Sequence, residues 1–261
     1  MDELIRKDQD QYKKYEELLL RRDQLQKEAG SIHTAYIKKF GELILEDFEL
    51  KVECIKKKKM IGFCQAALNR AMPIDLAEMK AFIQKAMALY NMELQEMLGN
   101  KKRAEGAKRS PDFQIERAKR IYRRLAKALH PDIHPETAAI PEIAELWTRI
   151  VIAYHVNDDE ELENLEILVR RILREQGVKM AVTDISDLEE RIERLEGEIN
   201  EILTTAPYIY AEMLEDPEQV ERKEEEFHKE IEEYRAYSKE LSDVLRNLLC
   251  EGGAEFVWIQ D

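Results

Sequence analysis

Seven prolines punctuate this chain, and their placement constrains its fold more than any other feature. Proline lacks an amide hydrogen and has a fixed φ, so it opens or ends helices and is costly inside one. The first is Pro73, and the proline-free residues 1 to about 70 carry Tyr15, Leu18, Leu25, Ala29, Ile32, Tyr36 and Leu43 on one alternating three-four register. That is the seam of a long amphipathic helix. Arg22 and Lys39 interrupt it, and their charged heads are expected to reach past the seam to water.

The other prolines divide the remainder of the chain. After Met72-Pro73, Asp75 and Glu78 form a helix start, and Leu76, Met79, Ile83, Met87, Leu94 and Met97 predict a helix stopped by Gly99. Residues 101–109 read as a basic connection, and Ser110-Pro111 as an N-cap with proline at the first helical position. Pro131 ends the next helix, a loop containing Pro135 comes after it, and Pro141 restarts a helix buried through Trp147, Ile150, Ala153 and Tyr154. A short acidic helix over residues 158–168, running on toward Gln176-Gly177, is predicted next. Ser186 and Glu189 cap a heptad run of Ile185, Leu188, Ile192, Leu195, Ile199 and Ile202 that Pro207 breaks. Asp216-Pro217 opens a last helix, with its stripe on Phe227, Ile231, Tyr234, Leu241, Leu245 and Leu248. These last two helices are expected to fold back as an antiparallel hairpin, with the N-terminal helix as a third member.

With 37% charged residues, only 9 glycines and almost no β-branched alternation, the chain reads as all-α. The expected organisation is an N-terminal long helix over 1–70, a helical module over 71–175 with its core at 111–157, and a C-terminal coiled-coil hairpin over 184–250. Cys54, Cys64 and Cys250 are odd in number and lack paired spacing, which predicts free thiols in a reducing compartment. No secretory signal pattern opens the sequence and no apolar run reaches the length of a membrane span, so a cytoplasmic protein without membrane association is the expectation. The net charge of −14 opposes nucleic-acid binding by the whole chain, and residues 101–127 keep it only as a weak option.

Charge is distributed very unevenly. Residues 101–129 hold eleven Lys/Arg against three Asp/Glu, a balance of +8, whereas residues 130–166 hold ten acidic residues against Arg149, a balance of −9. The boundary is His130-Pro131-Asp132. Before it, apolar Ala118, Tyr122, Leu125 and Leu129 form one helical stripe, and the remaining faces are mostly cationic. Pro131 steers His130 away from helical geometry, so His130 and Asp132 are presented in a turn beside a positive surface.

Tyr122-Arg123-Arg124-Leu125-Ala126, then His130-Pro131-Asp132, then Trp147, Ile150, Ala153-Tyr154 and Val156, together resemble the J domain of DnaJ-type co-chaperones over roughly residues 111–157. The resemblance implies a basic helix that docks on a DnaK-type ATPase chaperone and a turn that triggers ATP hydrolysis there. Carried over, His130, Pro131 and Asp132 are the chaperone-activating loop, and Arg120, Arg123, Arg124 and Lys127 the docking face. Neither the Gly/Phe-rich linker nor the cysteine-rich module of the longest DnaJ proteins is present.

Other classes fit the same residues less well. His130, Asp132 and His134 are ligand types, but no fourth ligand accompanies them, so no metal is expected. No nucleophile stands with a base, and no Gly-rich phosphate loop exists, so neither an enzyme nor a cofactor is expected. The rival reading is a coiled-coil scaffold or assembly adaptor whose J-like hairpin does not stimulate a chaperone, its seams being open to a protein client or a second copy of the chain. The four lysines at 56–59 are expected to pair with the C-terminal third, where 24 acidic residues face 8 basic ones from 184 onward.

Overall fold

The structure, a computed structural model, describes residues 2–107, 109–175 and 188–252. Among them every regular element is a helix, and the fold is all-α: α1 (Asp2–Asn69), α2 (Leu76–Gly106), α3 (Asp112–Leu129), α4 (Pro135–Ala138), α5 (Pro141–His155), α6 (Asp159–Glu175), α7 (Leu188–Thr204), α8 (Tyr210–Glu215) and α9 (Pro217–Glu251). The predicted Ile185 and Ser186 positions lie outside the described residues. No helix among the described residues is long and apolar enough to cross a membrane.

The prolines act as expected in most places. Pro135, Pro141 and Pro217 occupy first-turn positions of α4, α5 and α9, where the missing amide hydrogen costs nothing. Asp75 and Asp216 cap α2 and α9 by accepting two backbone amides each. Two boundaries differ. Pro111, rather than Ser110, is the N-cap of α3 and makes no side-chain cap bond. Helix α2 runs through Gly99 to Gly106, so most of the predicted basic connection is helical. A mid-helix glycine costs about 1 kcal/mol relative to alanine, and here Lys101 holds the extension by pairing with Glu42 of α1 and Glu105 of its own helix.

Two compact units form, each from non-contiguous segments: residues 1–32 with 108–209, and residues 33–107 with 210–261. The three consecutive segments read from the sequence are therefore redistributed, with α1 contributing to both units. In the first unit α3, α5 and α6 enclose a core of Ile121, Leu125, Leu129, Ile143, Ile150, Leu162 and Leu165. A smaller cluster joins Tyr15 and Leu19 of α1 to Ile192 and Leu195 of α7, with Ile133 among them. In the second unit Met60 and Cys64 of α1, Met79, Ile83 and Met87 of α2, and Leu245 and Leu249 of α9 form another core.

Helix α7 packs on the first part of α1, and α9 on its later part. Each amphipathic stripe required a partner, and α1 supplied one to both. Its seam also drifts from the predicted register, with Leu19, Phe40 and Leu45 buried where Leu18 and Leu43 are only partly so. A straight helix of 3.6 residues per turn rotates away from a strict heptad over such a length. The lysines at 56–59 do meet α9: Lys57 donates to the Ser238 hydroxyl and carbonyl, and Lys58 lies over the Tyr237 ring.

Candidate functional site

The site is built from the end of α3 outward. Helix α3 leaves its last carbonyls without helical partners, and the loop after it supplies them. His134 Nε2 bonds the Lys127 carbonyl at 2.9 Å, and the Thr137 hydroxyl donates to the carbonyls of Leu129 and His134. His134 Nδ1 lies 3.1 Å from Glu136, so both ring nitrogens are engaged. Within the turn, the His130 carbonyl accepts the amides of Ile133 and His134. The Asp132 amide donates to His130 Nδ1 at 3.1 Å. A nitrogen that accepts cannot carry the proton of a neutral imidazole, so the proton sits on Nε2. Nε2 faces the Asp23 carboxylate at 3.6 Å.

Aromatic rings support this turn from beneath. Tyr122 stacks on Tyr154 at 4.0 Å between centroids and lies 5.9 Å from Trp147, while His130 meets Trp147 edge-on at 5.1 Å. Contacts thus advance along α3 as they recede along α5, the mark of an antiparallel pair. After α5, Asn157 adopts a left-handed φ of 58°, a conformation asparagine tolerates better than other residues with a Cβ. Its side chain accepts from Lys27 and donates to Ser110.

Helix α1 closes the other side. Asp23 is only 8% exposed and accepts the Tyr122 hydroxyl at 2.7 Å and the Arg22 guanidinium at 3.0 Å. Burial alone would raise its carboxyl, but His130, Tyr122 and Arg22 together hold it below the usual carboxylate range. Burial and the facing Asp23 push the Tyr122 phenol upward, and burial lifts Tyr154 to about 12. Burial and nearby Lys119 push Lys27, which lies over the Tyr154 ring, down to about 8. Arg22 also reaches Glu198 of α7 at 3.4 Å and Asp132 at 3.7 Å. A cleft of roughly 280 Å³ opens between these groups, lined by Arg22, Asp23, Tyr122, His130, Asp132 and Trp147 among others.

No protein-family model, curated protein or solved structure matches the chain.

The predicted site residues differ in their surroundings. His130 is buried, whereas Asp132 is partly exposed. Arg120 and Arg123 are exposed and make no ion pair among the described residues. Arg124 is bound bidentately by Glu166 at 3.0 and 2.8 Å, and Lys127 pairs with Glu16 at 3.1 Å. Arg117 pairs with Asp159 and Glu163. The charge reversal across the turn is thus partly internal, because the basic face of α3 meets the acidic face of α6, and the free cationic surface is narrower than the four residues predicted. Sequence reasoning misses Arg22, Asp23 and Ile133 as site residues. Only the charge at 22 inside an apolar seam hints at them, and Arg22 does not reach past the seam as expected but is held by carboxylates.

Proposed function

We propose that this chain is a J-domain-type co-chaperone that docks on a DnaK-type ATPase chaperone and stimulates it through His130-Pro131-Asp132. The observation that carries the reading is the turn itself, which joins antiparallel α3 and α5 at a corner beside exposed Arg120 and Arg123. A proline turn whose carbonyl and imidazole are both tied into local hydrogen bonds holds Asp132 at a fixed offset from the cationic helix. A positive helix steers encounter with an acidic surface, and a preorganised turn places its polar groups without an ordering cost. The chain on this reading performs no bond chemistry of its own; the partner's ATP hydrolysis is the chemistry. A cytoplasmic location belongs to the same proposal.

Internal engagement of the site favours a second reading. His130 is buried, and Arg124 and Lys127 are paired within the chain, as befits a scaffold or assembly adaptor whose hairpin no longer stimulates. One measurement separates them. Single-turnover ATP hydrolysis by the host's DnaK-type chaperone is expected to accelerate with this protein and to lose that acceleration with His130→Gln. Absence of acceleration by the natural chain, with every host paralogue tried, leaves the scaffold reading in place.

A further inference from the structure

We propose that α1 and α7 form a clamp on the His130-Pro131-Asp132 turn, so that docking is gated by separation of these helices from it. This rests on the co-chaperone reading and concerns its regulation. The residue after the motif, Ile133, is 1% exposed, yet its apolar partners are not the α3, α5 and α6 core. It inserts instead into the seam of α1 and α7, among Tyr15, Leu19, Ile192 and Leu195. An apolar side chain directly after a polar turn is thereby buried by the clamp.

The polar residues are held by the same helix. Asp23 faces His130, Arg22 bridges Asp132 to Glu198 of α7, and Glu16 takes Lys127 away from the docking face. A partner that needs Asp132 and Lys127 must therefore compete with Arg22 and Glu16. Much of the clamp's rim is weakly built. Lys14 meets Glu196 at 2.7 Å with about half of each side chain exposed, and Gln11 meets Glu189 in an exposed contact. An exposed ion pair shifts an equilibrium by no more than about fivefold. Segments with a small buried seam and exposed rim contacts open below the cost of global unfolding.

The test is made on the full chain with Lys14→Glu, which places like charge opposite Glu196, and with the charge swap Lys14→Glu/Glu196→Lys. Neither residue belongs to the docking face or the turn. The expected result is a rise of up to about fivefold in stimulated single-turnover ATP hydrolysis at limiting co-chaperone for Lys14→Glu, returned to the natural level by the swap and abolished by adding His130→Gln. Hydrogen exchange of the amides of 132–134 is expected to quicken and recover in parallel. Leu195→Asp, which places a charge inside the seam, is the stronger opening variant. If the natural chain stimulates and the opened variants do no better, the clamp is overturned and the co-chaperone reading stands. If no variant stimulates any host paralogue, both fall. Exchange at 132–134 that responds to neither Lys14→Glu nor Leu195→Asp also overturns the clamp.

Discussion

Removing one hydroxyl tests the electrostatic centre of the first unit. Tyr122→Phe leaves the ring stacked on Tyr154 and takes away only the hydrogen bond to Asp23, a 2.7 Å contact with a nearly buried carboxylate. A hydrogen bond to a charged acceptor contributes about 1.5–3 kcal/mol. Arg22 and His130 remain to share the charge, and the buried hydroxyl's own desolvation is relieved, so the expected loss is about 2 kcal/mol at pH 7. For a unit of this size that corresponds to about 4–8 °C in Tm. The pH dependence has a definite sign. Asp23 is held below its ordinary value in the folded chain, so its contribution is present at neutral pH and lost as pH falls through the folded value. The deficit of Tyr122→Phe is therefore largest near neutrality and shrinks in acid, where the carboxyl is protonated in both proteins. The chain has two tryptophans, and a Trp258→Phe background leaves Trp147, beside Tyr122 and His130, as the reporter in urea titrations. A loss below about 0.5 kcal/mol at pH 7, less than a typical neutral hydrogen bond contributes, or a deficit that grows in acid, would refute the reasoning.

Local geometry gives two further outcomes. Lys27 is depressed to about 8 in the fold by burial and Lys119, so the folded chain binds its proton less tightly than the unfolded chain. Stability of the first unit is expected to rise as pH climbs from about 8 toward the ordinary lysine value, and Lys27→Met is expected to abolish that slope in urea titrations between those limits. Ala71 sits at φ 53° in the link between α1 and α2. A left-handed alanine costs roughly 1–2 kcal/mol, and glycine returns about 0.5–1 of that through unfolded-state entropy, so Ala71→Gly is expected to stabilise the second unit by about 0.5–1 kcal/mol in thermal melts.

Helix content and several helix starts were legible in the sequence because they depend on local physics. Pro141 and Pro217 open helices wherever the rest of the chain goes, since the ring fixes φ and removes a donor that a first turn does not use. Ala118, Tyr122, Leu125 and Leu129 lie on one face because a helix repeats every 3.6 residues, and all four are buried as their spacing implied. The turn at His130 was legible for the same reason.

Partnership was decided only by the tertiary structure. A stripe of apolar residues states that a helix needs a cover but not which one, so α7 and α9 read as a pair while each in fact packs on a different part of α1. Charge behaves likewise. Arg124 found Glu166, Lys127 found Glu16 and His130 came to face Asp23, across separations in the chain that no helical period links. A side chain's formal charge fixes the sign of its partner and nothing about its position. Which cations on α3 stay free, and what closes over Ile133, are consequences of how the helices pack.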